Sequence, residues 1–272
     1  MLVAIIGMAS CEKYNPSTTE YSHGNEDDAN GNVTLQLDSC SQERVTFSIF
    51  QDGKKVKTIH QDASSSELGA VHISLDEGTY TVVAIAHNGN GNCTISSPEK
   101  ITFPNNKVTD TFFCYDTLYI NKKTLQQDLH LHRAVAAFNL HITDEIPSNI
   151  HQFKFYYTGG SSTFNAVTGY GCANSRQTEY LEARPNLANY MIYTFPHEEE
   201  KKLKIVITAQ DAENKDITSK TFEDVSILKN HITHWSGDFF HQEEADHDAS
   251  LGFIFDDTWK EENNVPFFHK SR

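Results

Sequence analysis

Positive charge is scarce in this chain. Against 37 Asp and Glu it sets 22 Lys and Arg, a formal net charge of −15 over 272 residues. No basic patch is available to neutralise phosphates, which argues against nucleic acid as a partner. The same surplus suits a body that does not adhere to an anionic membrane surface. Catalytic signatures are missing as well: there is no G-x-S-x-G elbow, no P-loop and no H-E-x-x-H, so neither nucleophile nor phosphate cradle can be assigned. None of the five cysteines forms a C-x-x-C pair, which speaks against a structural zinc site. His130 and His132 share a strand face, with His141 close by in sequence. A metal would need further donors and supporting partners that cannot be named, so a solvated polar face explains these histidines better. The expectation is a chain with no catalytic residues, no metal and no soluble cofactor. Nor does any run approach the ~18 apolar residues needed to span a bilayer.

What the chain has is strand-forming sequence. It carries 17 Phe and 11 Tyr, with Val, Ile and Thr in short runs, a β-rich composition. Residues 33–37 and 44–50 alternate apolar and polar, and Asp52-Gly53 then marks a tight hairpin turn into 55–60. Further short runs follow at 71–75, 79–87, 101–103 and 111–120. Close spacing and almost no helical periodicity predict a β-sandwich over 33–121. The polar stretch 121–127 reads as a boundary, and a second sandwich is expected over 122–240, with strands at 150–157, 164–171, 191–195, 203–209, 218–227 and 231–240. Residues 174–183 leave room for a helical turn or two, stopped by Pro185. The predicted fold class is all-β, two sandwiches in tandem.

The second sandwich is expected to open with residues 129–143, L-H-L-H-R-A-V-A-A-F-N-L-H-I-T. Leu129, Leu131 and Val135 share one phase, and Phe138, Leu140 and Ile142 share the other. Side chains alternate at every residue, so this flip requires a bulge, a bend or a crossing between packed sheets. A straight strand of that length would run roughly 50 Å, far beyond the usual ~17–20 Å. A bend is the cheaper reading.

The two ends differ from the body. Residues 2–8 are apolar, and Met8-Ala9-Ser10-Cys11 resembles a bacterial lipobox. Residues 1–10 then read as a signal peptide cut short, since no Lys or Arg precedes the apolar run. Cys11 would carry a covalent lipid that anchors the body without embedding it. Residues 11–32 are polar and unpatterned, a flexible tether. Outside the cytoplasm Cys40, Cys93, Cys114 and Cys172 can pair in three ways, or remain free buried thiols. At the other end, 241–250 is acidic, and Leu251, Phe253 and Phe255 then share a phase before Trp259. That is a short apolar strand on an acidic leash, either a late-docking element or an ordinary final edge strand.

Several motifs carry a family resemblance in their order and spacing. They are T-D-T-F-F-C-Y-D-T-L-Y-I (109–120), L-H-R-A-V-A-A-F-N-L-H-I (131–142), F-N-A-V-T-G-Y-G (164–171), Y-T-F-P (193–196) and N-H-I-T-H-W-S-G-D-F-F (230–240). With the lipobox cysteine they resemble the fimbrillin superfamily and, within it, the minor fimbrial subunits that anchor type V pili to the outer membrane. The resemblance implies two transthyretin-like Greek-key sandwiches and a place on the cell surface as part of a fimbrium. It implies other fimbrial subunits as partners, joined by β-strand exchange. Leu251, Phe253 and Phe255 are then the candidate exchanging anchors. Arg44 or Arg133 could be read as a cleavage arginine, but Arg133 lies in the recurring motif and is better taken as structural, at the domain junction. The competing class is a surface glycan-binding lipoprotein, for which Trp235, Trp259 and Tyr170 are the aromatics available to stack on sugar rings.

Overall fold

Alternation along the first strands turns directly into sheet packing. In the computed structural model, which describes residues 32–121, 125–185, 187–241, 253–256 and 259, β1 (Val33–Leu37) buries Val33, Leu35 and Leu37 and turns Gln36 to solvent. It pairs antiparallel with β4 (Ala70–Ile73) and parallel with β9 (Leu125–Leu129). Facing it is a sheet in the order β10 (His132–Arg133), β8 (Phe112–Ile120), β5 (Gly78–His87), β2 (Arg44–Gln51), β3 (Lys54–Asp62). The β2–β3 turn places both Asp52 and Gly53 at positive φ, 50° and 74°, the conformation a two-residue hairpin requires. Leu35, Val71 and Leu129 from one sheet meet Phe47, Val82 and Leu118 from the other in a single apolar cluster.

The second half repeats this plan. β11 (Ala136–Ile142) pairs antiparallel with β16 (Asn189–Thr194) and parallel with β19 (Ile232–Gly237), as β1 does with β4 and β9. The facing sheet runs β15 (Arg176–Glu182), β12 (Gln152–Thr158), β17 (Lys202–Gln210), β18 (Asp216–Ser226), matching β3-β2-β5-β8 strand for strand. Parallel neighbours need a long crossover, and in both halves the facing sheet supplies it. Phe138 and Trp235 pack here against Phe153, Phe155, Tyr157 and Phe222. The fold is all-β.

Two inserted hairpins tie the halves together. β6 (Thr94–Ser97) and β7 (Lys100–Thr102) lie between β5 and β8 in sequence, and β13 (Thr163–Asn165) and β14 (Tyr170–Gly171) between β12 and β15. β7 pairs with β13 through Thr102–Thr163 and Ile101–Phe164, so one small sheet contains strands from both halves. It covers a third apolar cluster that includes Phe50, Val83 and Ile85 from the outer face of the β2–β5 ladder, with Phe103, Phe164 and Phe195. The Phe164 ring sits 4.8 Å from Phe113 and 4.9 Å from Phe195.

Residues 129–142 depart from the single bent strand expected of them. They form the end of β9, then β10, then β11, in three different sheets. Leu129 and Leu131 enter the first core, Ala134, Val135 and Ala137 the junction cluster, and Phe138, Leu140 and Ile142 the second core. The flip of phase is therefore a crossing rather than a bend. The expected division after residue 121 falls between β8 and β9, yet β9 hydrogen-bonds to β1 and β10 to β8. Residues 176–182 are strand, not helix: Gln177 and Glu179 are buried while Thr178 and Tyr180 are exposed, and pairing with β12 along its whole length outweighs the local pattern.

Phe164 is fully buried between the halves. Phe164→Ala is expected to cost about 3–5 kcal/mol, read as a fall in the urea midpoint. A loss below about 1 kcal/mol would show that the junction cluster does not share in the cooperative core.

Candidate functional site

The C-terminal arm begins at a clamp. Asp144, following β11, accepts hydrogen bonds from the backbone N–H groups of Phe239 (2.8 Å), Phe240 (2.7 Å) and His241 (2.9 Å). Its carboxylate also lies 3.1 Å from the His241 ring. Burial by itself would raise the Asp144 carboxyl's pKa, but these donors outweigh it and the net shift is downward. Nearby, Lys220 donates to the Asp238 carbonyl at 2.6 Å and lies over the Trp235 ring. The chain therefore leaves the second sandwich from a fixed point.

It returns as β20 (Phe253–Asp256), antiparallel to β19 on the edge away from β11. The register sets Trp235 opposite Phe253, Thr233 opposite Phe255 and Ile232 opposite Asp256. Four residues of edge strand are a weak attachment by themselves. Trp259 strengthens it. Its indole is only 8% exposed, lies parallel to Tyr193 (3° between planes, centroids 6.2 Å apart) and has Arg133 over its face at 4.1 Å. Asn230 donates to the Trp259 carbonyl at 3.3 Å. Burying roughly 200 Å² of indole at about 25 cal/mol per Å² contributes up to about 5 kcal/mol, and the cation–π contact adds about 1–2 kcal/mol.

Arg133 sits where the halves meet. Its guanidinium, 7% exposed, makes a bidentate pair with Asp110 at 2.8 and 3.1 Å and lies 4.6 Å over Phe112. Its Nη1 reaches Asn230 at 3.4 Å. The crossing beside it is held to both halves: Ala134 donates to the Thr111 carbonyl, Asn230 to that of Val135, and Ala137 to that of His231. A second charged contact spans the junction, where Lys107 lies 3.3 Å from the buried Glu179. Burial pushes the Glu179 carboxyl up, and Lys107 opposes it.

The other expected site residues are scattered. Cys11 and Leu251 lie outside the described residues, while Phe253 and Phe255 belong to β20. Arg44 lies within β2, paired on both sides. Cys40, Cys93, Cys114 and Cys172 are free thiols, and burial pushes Cys93 and Cys114 up to about 12. The three histidines are separately engaged: His130 with Asp38, His132 beside the Phe113 ring, His141 with Asn189. Among the described residues no group of His, Cys, Asp or Glu could hold a metal ion, and no helix is long and apolar enough to cross a membrane. Trp235 is buried in the second core, and Tyr170 lies under the Lys229 ammonium. With Trp259 packed away as well, two of the three aromatics named for a glycan-stacking face are buried, and Tyr170 is half-buried. Among the described residues, Tyr115, Tyr119, Tyr156 and Tyr180 are exposed aromatics, which period-two reading of β8, β12 and β15 could have located.

What this arrangement can do is add and hold an extended strand. The family model of the fimbrillin-A associated anchor proteins Mfa1 and Mfa2 matches residues 27–264. No curated protein matches the chain. Among solved structures, it is similar to a candidate adhesin from Bacteroides ovatus (17% identity over 72% of this chain and 84% of that one, TM-score 0.48). It is also similar to a candidate polysaccharide-binding protein from Bacteroides thetaiotaomicron (13%, 75% and 90%, 0.49). A third is the fimbrial anchor protein Mfa2 from Porphyromonas gingivalis (8%, 75% and 89%, 0.41).

Because the Asp144 carboxyl is depressed in the fold, its contribution is complete above its unfolded pKa and fades as pH falls through the folded value. Asp144→Asn is expected to lower stability by about 1–3 kcal/mol at pH 7. The gap to the wild type should close below about pH 4. Urea midpoints of both proteins across that range test this, and a gap independent of pH would rule the clamp out as the titrating contact.

Proposed function

The chain belongs to the family of the fimbrillin-A associated anchor proteins, and from that membership we propose that it is the outer-membrane anchor, or an accessory subunit, that joins a pilus shaft by β-strand exchange. As a member it is a fimbrium-associated, non-enzymatic protein with other fimbrial subunits as partners. The finer reading is supported chiefly by one observation. β20 is an added edge strand on β19, separated from the Asp144 clamp by an eleven-residue stretch, 242–252. Strand addition of this kind draws affinity from backbone hydrogen bonds and specificity from side-chain pockets. A strand eleven residues beyond the clamp can be given to a neighbour without unfolding either sandwich.

Anchoring is the second part of the proposal. Met8-Ala9-Ser10-Cys11 supplies the site for a covalent lipid, and residues 11–32 the tether to β1. A lipid of that kind would hold the body at the outer membrane, facing outward. Its acidic surface would then stand clear of the anionic lipid beneath.

Removing residues 250–272 is expected to abolish co-purification of the lipidated protein with polymerised pilin, while near-UV circular dichroism shows both sandwiches still packed. Unchanged co-purification would remove the arm from the assembly contact. Absence of pilin even with the full chain would overturn the anchor reading. Cys11→Ser is expected to move the protein from the membrane to the soluble fraction.

A further inference from the structure

A sheet edge accepts strands readily but reads them poorly. Backbone groups repeat at every residue pair, so a strand shifted by two places keeps its faces and nearly all its hydrogen bonds. Among the described residues, four pairs define the register on the β19 edge. Something beyond the ladder must select the position, and the junction provides it.

Trp259 lies three residues past the end of β20, over a guanidinium whose orientation is already set. Asp110 holds Arg133 by two hydrogen bonds, and the guanidinium also lies over the Phe112 ring at 4.6 Å. Tyr193 forms the parallel wall and Asn230 takes the backbone carbonyl. A slip of two residues would carry the indole about 6.7 Å along the strand. From 4.1 Å that leaves the reach of a cation–π contact, about 6 Å. A slip of one residue reverses the strand's faces. One register alone seats the indole. Asp110, Phe112 and Arg133 come from the first half and Tyr193 and Asn230 from the second, so the pocket is complete only when the halves are docked.

We propose that this pocket is a tryptophan-reading site that sets the register and the identity of the arm lying on β19. Trp259 fills it in the free subunit, and the C-terminal arm of a neighbouring subunit, bearing an aromatic residue at the same distance beyond its strand, fills it in the assembly. The assembly half of this statement rests on the strand-exchange reading above. The recognition half stands on the pocket alone.

The test uses the full chain with a single protease site introduced within 242–250, cut after folding so that the arm stays in place by its contacts. A labelled synthetic peptide spanning residues 251–261 is then offered as a competitor. The cut arm is expected to remain bound on gel filtration and to be replaced by the wild-type peptide. The Trp259→Ala peptide should bind about tenfold or more weakly, and the Trp259→Phe peptide in between. In a body carrying Arg133→Met the discrimination between wild-type and Ala peptides should shrink, a double-mutant comparison that separates the contact from general damage. Equal binding of wild-type and Ala peptides would overturn the reading site and leave strand exchange standing. Failure of both peptides to enter, with the arm retained, would overturn exchange on this edge altogether.

Discussion

Within residues 129–142 the chain must satisfy three apolar clusters in succession. Leu129 and Leu131 belong to the first, Ala134, Val135 and Ala137 to the second, and Phe138, Leu140 and Ile142 to the third. No regular strand can do this, because alternation offers only two faces. The chain therefore breaks twice: at the first break Asp38 donates its N–H to the Leu129 carbonyl and accepts from the Leu131 N–H through its carboxylate, and the second is pinned by backbone hydrogen bonds to Thr111 on one side and to Asn230 and His231 on the other. From that crossing follow the placement of both halves, the burial of Phe164 between them, and the position of Arg133 at the turn.

A buried guanidinium is costly to dehydrate, and pairing it rarely does more than recover the loss. Arg133 recovers it with a bidentate carboxylate, an amide oxygen and two ring faces. What such a group contributes is geometric definition. Two loops, a strand end and the C-terminal arm have to arrive together for the charge to be matched. The Lys107–Glu179 contact across the same junction, with Tyr157 donating to Glu179 from within the second core, adds a second polar constraint of this type.

Much of this is legible in the sequence. The alternation of Val45, Phe47 and Ile49, the Asp52-Gly53 turn and the phase flip near Ala136 all depend on neighbours in sequence, and all describe local structure correctly. Partnership is where such reading stops. The polar run 121–127 reads as a domain boundary because nothing local shows that Leu125 and Leu129 pair with β1, about ninety residues upstream. Residues 176–182 have a weak strand pattern and become a strand through β12. The order of the family motifs pointed to Arg133 as structural, but its partners Asp110 and Trp259 lie far apart in sequence. No spacing rule connects them.

The repeated plan also bears on how the molecule comes into being. Each half closes with a parallel pairing, β1 to β9 and β11 to β19, and contacts between residues so distant in sequence form slowly because a long loop must close first. The strands of the first sandwich are complete by Arg133, whereas β11 must wait for β19. A chain made from its N-terminus can therefore settle its first core while the second is still being assembled. β20 follows every other described strand in sequence, so the β19 edge exists before the chain's own strand can cover it. Until the last strand arrives, the hydrogen-bonding groups along that edge of β19 have only water to pair with.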